Sequence, residues 1–475
     1  MAETSLLGRR HTILSREQAR AIASRKRCKG FLIYSDNILE SLAVLDLLYW
    51  SKHPIRSLGV CYETLDQPIY FFEDEQQQFS LMVKVCGNYT NWDLPPSVSS
   101  AISYVDKMDF LVVDPYGNGV VAGETTGTAN VGNSQWQREG RKVGAAIQQI
   151  PFIYQTYYTG TDRSQQGGSV VREPTSLQVL NHLAYCIRYR VPSFSIYYEN
   201  PELDRLIGKD RSNTGGKELM ASYLGTCLLY SVDPKRYVKM KKTIERAIIQ
   251  HMLDYITESV TKRGKQVSRL DNDFPGLPNK ASFYERREEF VEFVVERINY
   301  SKKEDSTFDF LAWDKTNFQR WGEAYRGLPL IRDLGRVTSI VSYLARSKVG
   351  IVLDTKKLVE ILLQRYSAKP EHIQHIDGDM PTLIIPARMF KGAGKVLAGD
   401  PESGEITAFS ELFSKTLWGQ KCMNVIAYTH VEPPHGFDVH DKLQSADMPT
   451  GTKLFRAIKH YADLLILEEK VITWT

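Results

Sequence analysis

MDFLVVDPYGNGVVAGETTGTANVGNSQWQREGRKVGAAIQQIPFIYQTYY, residues Met108 to Tyr158, reads as strand, tight hairpin, strand, Gly-rich loop, amphipathic helix and strand. Phe110 to Val113 is an unbroken apolar run, the pattern of a strand buried on both faces. Pro115-Tyr116-Gly117-Asn118-Gly119 supplies the residues of a sharp reversal, so the chain returns antiparallel towards Glu124. Asp114 then ends one strand and Glu124 lies near the end of its neighbour. A Gly-rich loop, a helix and a strand from Phe152 follow. At about 100° per residue, Trp136, Gly140, Val143, Gly144, Ile147 and Ile150 fall on one stripe of that helix. Gly140 and Gly144 would let it approach a sheet closely. Gln137, Arg141 and Gln148 form a row on its flank, whereas Arg138 and Lys142 point farther away.

Working outward, the N-terminal side predicts a basic helix near Ser15 to Arg27, opened by a capping box from Ser15 to Gln18. A short strand at Phe31 to Tyr34 comes next, then a buried helix from Ile38 to Trp50 capped by Asn37. Hairpin-like runs follow at Ser57 to Glu63, Ile69 to Phe72 and Phe79 to Val85. On the C-terminal side a helix spans Thr175 to Tyr189 and a strand Phe194 to Tyr198. The order predicts an α/β fold in which a mixed sheet carries helices on both faces. Beyond it the chain reads as mainly helical, with helices at Lys217 to Tyr230, Lys235 to Lys262 and Glu285 to Tyr300. Turn-rich DNDFPGLPN at Asp271 to Asn279 and SKKEDS at Ser301 to Ser306 mark boundaries. Three regions are expected: 1–200, an α/β domain; 201–300, mainly helical and basic; and 301–475, mixed α+β, with helices at Thr316 to Ala324, Thr338 to Arg346, Thr355 to Tyr366 and Lys453 to Leu464.

Composition bounds the function. The chain has 475 residues, 42% hydrophobic and 24% charged, ordinary values for a globular protein with real cores. No apolar run approaches the ~18 residues of a membrane span, and the first residues lack a signal-like segment, so no membrane partner and a cytoplasmic location are expected. Six scattered cysteines without a CxxC pair fit reduced thiols. Net charge is only +4, but it is unevenly spread. Arg9 to Lys29 holds eight Lys or Arg against Glu17 alone, and Lys235 to Arg269 holds ten against three acids. Such runs are either phosphate-tracking surfaces or solvated helix faces.

The order of hairpin strands, Asp-bearing strand, Glu-bearing strand, helix and strand over roughly residues 30 to 160 resembles the PD-(D/E)xK nuclease superfamily, which includes many type II restriction endonucleases. That resemblance implies that Asp114 and Glu124 hold Mg²⁺, with Gln137 and Arg141 orienting water or phosphate from the helix. Phosphodiester cleavage needs a Lewis acid to stabilise added negative charge, and a hard cation needs oxygen ligands. The sequence departs from the pattern at Thr126, where the family has lysine, and Arg141, Lys142 or Arg138 are the cations on hand. The implied activity is metal-dependent cleavage of duplex DNA in restriction or phage defence by a homo-oligomer, with Lys239, Lys242 and Arg246 holding the DNA backbone and residues 301–475 serving target recognition or dimerisation. Sharing a cation bound at ~2.1 Å would require the two carboxylates to lie within about 5 Å.

A second reading keeps the fold without the chemistry, as a nucleic-acid-binding or scaffolding protein. A third uses the Gly-rich loop Gly123 to Gly132 to handle a nucleotide or phosphoester, although that loop lacks both a P-loop lysine and GxGxxG spacing. His372, His375, His430, His435 and His440 cluster in the last third, and His372 with His375 on one helical turn is a candidate zinc pair.

Overall fold

The computed structural model describes residues 11–51, 53–62, 67–89, 94–96, 98–99, 102, 107–126, 141–163, 169–172, 176–206, 215–262, 280–299, 350–366, 368–386, 388–389, 396–397, 423–429, 462–467 and 470–473. Residue contacts divide the chain into two units that interleave along the sequence. The first takes Met1–Asn130, Gly144–Pro174 and Tyr189–Met252, and the second Val131–Val143, Thr175–Arg188 and Leu253–Thr475.

An eight-stranded mixed sheet dominates the first unit, giving the α/β class expected. Its strands are β1 (Cys28–Ser35), β2 (Ile55–Tyr62), β3 (Pro68–Asp74), β4 (Ser80–Asn88), β5 (Phe110–Val113), β6 (Gly119–Thr126), β7 (Phe152–Tyr157) and β10 (Ser193–Tyr198), in the spatial order β10-β7-β6-β5-β1-β4-β3-β2. A separate two-stranded ribbon pairs β8 (Gly160–Arg163) with β9 (Ser169–Arg172). Within the large sheet only β3 and β5 run against the other six strands. The parallel pairing of β1 with β4 departs from the sequence reading, which took the early strands as antiparallel neighbours. The carboxyl ends of β1, β4, β6, β7 and β10 consequently share one edge with the start of β5.

Helix α1 (Arg16–Ala23) starts at the expected capping box, with Ser15 Oγ accepting from Gln18 N and Gln18 Oε1 from Ser15 N. It packs on Cys61, Ile69 and Phe71. Side chains alternate along β3, so Tyr70 faces the other side. There it meets α2 (Ile38–Tyr49), donating a hydrogen bond to Asp46 Oδ1 at 2.9 Å, while His11 Nε2 lies 2.7 Å from the same oxygen. Asn37 caps α2 as the sequence predicts, and Glu40 accepts from Asn37 N in return. α3 (Ser176–Tyr189) and the short α4 (Pro201–Leu206) flank β10 in sequence. α5 (Gly216–Val232) packs near β10 through Tyr223 against Phe194, ring centroids 5.3 Å apart. The long α6 (Pro234–Lys262) follows.

In the second unit, Lys142 is buried, and its Nζ bonds to Asn181 Oδ1 and sits 4.0 Å from the Tyr185 ring centroid. This corrects the outward direction expected for Lys142 from helical periodicity. α7 (Lys280–Asn299) belongs to the same unit, as does a sheet ordered β11-β12-β15-β16-β17. Those strands are β11 (Gly350–Val352), β12 (Thr382–Pro386), β15 (Asn424–Thr429), β16 (Leu464–Leu467) and β17 (Lys470–Thr473); a small ribbon joins β13 (Arg388–Met389) to β14 (Val396–Leu397). Ile384, Ile426 and Ile466 form its core with Leu358 and Leu362 of α8 (Thr355–Arg365). Leu464, expected to close a helix, opens β16 instead. The helices expected at Thr316 to Ala324 and Thr338 to Arg346 lie outside the described residues. Among the described residues no helix is long and apolar enough to cross a membrane.

Candidate active site at the carboxyl edge of the sheet

The hairpin of β5 and β6 forms where the sequence places it, but its register separates the two acids expected to act together. Val113 pairs with Gly119 and Phe110 with Gly123, so Asp114 lies at the turn and Glu124 at the far end of the ladder. The five residue steps from Asp114 back to Asp109 span about 17 Å of strand, far beyond a shared cation. Asp114 is instead the hinge of the turn. Its carboxylate accepts from Tyr116 N at 2.9 Å, Asn118 N at 2.8 Å and Asn118 Nδ2 at 2.8 Å, while Gly117 takes the left-handed φ of 84° that the reversal needs. Asp114 as a metal ligand beside Glu124 is thereby corrected.

The residue level with Glu124 is Asp109, which immediately precedes β5. Asp109 Oδ2 accepts from Thr125 N at 2.8 Å, tying it to β6. Counting in steps of two from Leu111 and Ala122, both in the core cluster on this side of the sheet, Asp109 and Glu124 share that face. Asp109 is 7% exposed and Glu124 fully buried. Tyr89, which follows β4, belongs to the same cluster, its ring stacked 6.4 Å from that of Tyr34. Burial first, and then the charges of Asp109, Asp36, Glu124 and Glu40, push the Tyr89 phenol well above the usual tyrosine range, so it remains a neutral hydroxyl. Its oxygen has no hydrogen-bond partner among the described residues.

Gly123 explains how Glu124 reaches this position. A Cβ there would lie 2.4 Å from the Phe110 ring and 2.7 Å from Ile153 O, so only glycine lets β6 pass between β5 and β7 at this level. Glu124 then pairs with Tyr154 of β7. Carboxyl ends of parallel strands are the usual place for ligands in open α/β sheets.

The other expected site residues fall out separately. Gln137 and Arg138 lie outside the described residues, as do Gly127 to Gly132 of the Gly-rich loop. Arg141, half-buried, is helical with the described residues through 147 and is grouped with the second unit. Lys239 and Arg246 are exposed and Lys242 is half-buried. Their spacing, with Lys235, puts all four on one stripe of α6. Lys241, counted in the same basic run, is buried and paired with Glu245. His372 accepts from Lys369 N at 3.2 Å and forms part of a helix end. His430, His435 and His440 are not among the described residues. Within those residues no group of three or more His, Cys, Asp or Glu is arranged to hold a metal ion.

Sequence reasoning missed Asp109 and Tyr89. The signal for Asp109 was available, because residues equidistant from a hairpin's turn face each other, which pairs Asp114 with Asn118 and brings the level of Glu124 close to Asp109. Tyr89 gave no such signal, since its place depends on the β1–β4 pairing. Comparison with protein-family models, curated proteins and solved structures found no match.

Proposed function

We propose that the chain is a metal-dependent nuclease that hydrolyses DNA phosphodiester bonds at the carboxyl edge of its large sheet, with Asp109 and Glu124 as the acidic pair. The register that sets Asp109 level with Glu124 on one face carries this reading. Magnesium is commonly held by one or two carboxylates, with water and substrate phosphate completing its shell. Two carboxylates with a phenol beside them fit that donor set. Asp109 and Glu124 would hold the ion, which when bound supplies charge stabilisation at the phosphate and a more acidic water. Tyr89, kept neutral, retains its O–H donor, and so would orient a phosphate oxygen or water. The basic stripe of α6 is the surface suited to duplex backbone, and a homo-oligomer would present one site to each strand.

Complete burial of Glu124 and the presence of Thr126 in place of a lysine favour a second reading, a DNA-binding scaffold without cleavage. Incubating the purified protein with duplex and single-stranded DNA in Mg²⁺, Mn²⁺ and chelator separates the two. Cation-dependent cutting that disappears in Glu124→Gln supports the nuclease. Saturable binding with no cutting under any cation identifies the scaffold.

A further inference from the structure

On the α1 side of the first unit, helix and sheet do not close completely. A cavity of about 300 Å³ lies between them, near the small end of ligand pockets. Its floor is apolar, made by Cys61, Ile69, Phe71 and Met82 of three adjacent strands. Its roof is one face of α1, where Arg16, Ala19, Arg20 and Ala23 recur at i, i+3, i+4 and i+7. Ala19 packs against that floor and Ala23 is exposed, and both side chains are short, which leaves space beside them beneath the two arginines. Both arginines are exposed and line the same cavity, and neither guanidinium bonds to a described residue. The two arginines that follow α1 are engaged: Arg25 with Ser80 and Glu73, and Arg27 with Gln78. Two available planar forks over an apolar floor suit an oxyanion with an apolar body, since guanidinium pairs well with carboxylate or phosphate while the floor removes hydrocarbon from water.

We infer that this cavity binds an amphipathic oxyanion, its acid head between Arg16 and Arg20 and its apolar body on Phe71, Ile69 and Met82. The site is distinct from the acidic edge described above and does not depend on the nuclease reading.

Calorimetric titration of the full chain with octyl phosphate and octanoate, both below their micelle concentrations, tests it, with inorganic phosphate and octanol as controls. At least one amphiphile should bind saturably, at least tenfold more tightly than either control. The better head group separates phosphate from carboxylate ligands. Arg16→Ala with Arg20→Ala should weaken binding at least tenfold, and Ala19→Leu, which fills the cavity, should abolish it. Because the arginines are exposed, the double variant keeps the test valid even where Ala19→Leu perturbs folding. Bound amphiphile should also slow maleimide modification of buried Cys61 several-fold. No saturable binding, or equal binding by the double-arginine variant, overturns the inference.

Discussion

Asp109 and Asp114 flank the same four-residue strand, and their chemistry differs because of where the ladder sets them. Asp114 commits its oxygens to three donors of its own turn, so Asp114→Ala should cost about 1–2 kcal/mol of stability, the usual scale for broken turn and cap bonds. A urea unfolding midpoint shows the loss. DNA binding and cutting per folded molecule should stay unchanged, since the turn lies remote from Glu124. Gly123 is the second residue on which the site depends. In Gly123→Ala the new methyl meets both an aromatic ring and a backbone carbonyl, and a backbone carbonyl cannot swing aside. Overpacking of this kind costs about 1–3 kcal/mol, and the shift carries Glu124 with it. Melting should fall and any cation-dependent activity should fall further than stability alone accounts for.

At the level of elements, most of what the sequence announces is local. The capping box at Ser15, the cap at Asn37, the hairpin at Pro115 to Gly119 and the apolar strands were legible because each is written in neighbouring residues. The β1–β4 parallel pairing was not, because it joins strands about fifty residues apart through packing that no local pattern encodes. The partial burial of the basic run was equally hidden: only the fold turns Lys241 inward to Glu245 while leaving Lys239 and Arg246 outward. If that outer stripe tracks phosphate, Lys239→Ala, Lys242→Ala and Arg246→Ala should each lower duplex affinity. The slope of log K against log salt should then shrink by about 0.9 for each phosphate that is no longer neutralised. An unchanged slope in the triple variant, measured by fluorescence anisotropy, reassigns the stripe to a solvated face.

Across the whole molecule, the two units draw on segments interleaved in the sequence, so linker-like stretches alone could not reveal their division. One buried group gives the stability of the chain a pH signature. His182 is 3% exposed, and burial first, then Lys142 beside it, drives its imidazole well below the usual histidine range. The folded protein therefore holds it neutral. Above about pH 6.5 the unfolded chain is neutral there too, and no penalty arises. Below that value only the unfolded chain takes up the proton, so stability falls with pH at up to about 1.4 kcal/mol per unit from this group. Denaturant melts of wild type and His182→Gln between pH 5 and 7 should differ in slope, with the variant flatter.

The claim that the acidic pair is Asp109 with Glu124, set by hairpin register, is tested most directly by comparing Asp109→Asn with Asp114→Asn in one Mg²⁺-dependent duplex-cleavage assay. Both variants should be folded by circular dichroism. Cleavage abolished in Asp109→Asn and retained in Asp114→Asn is the predicted result. Cleavage retained in Asp109→Asn, or abolished in a folded Asp114→Asn, would contradict it.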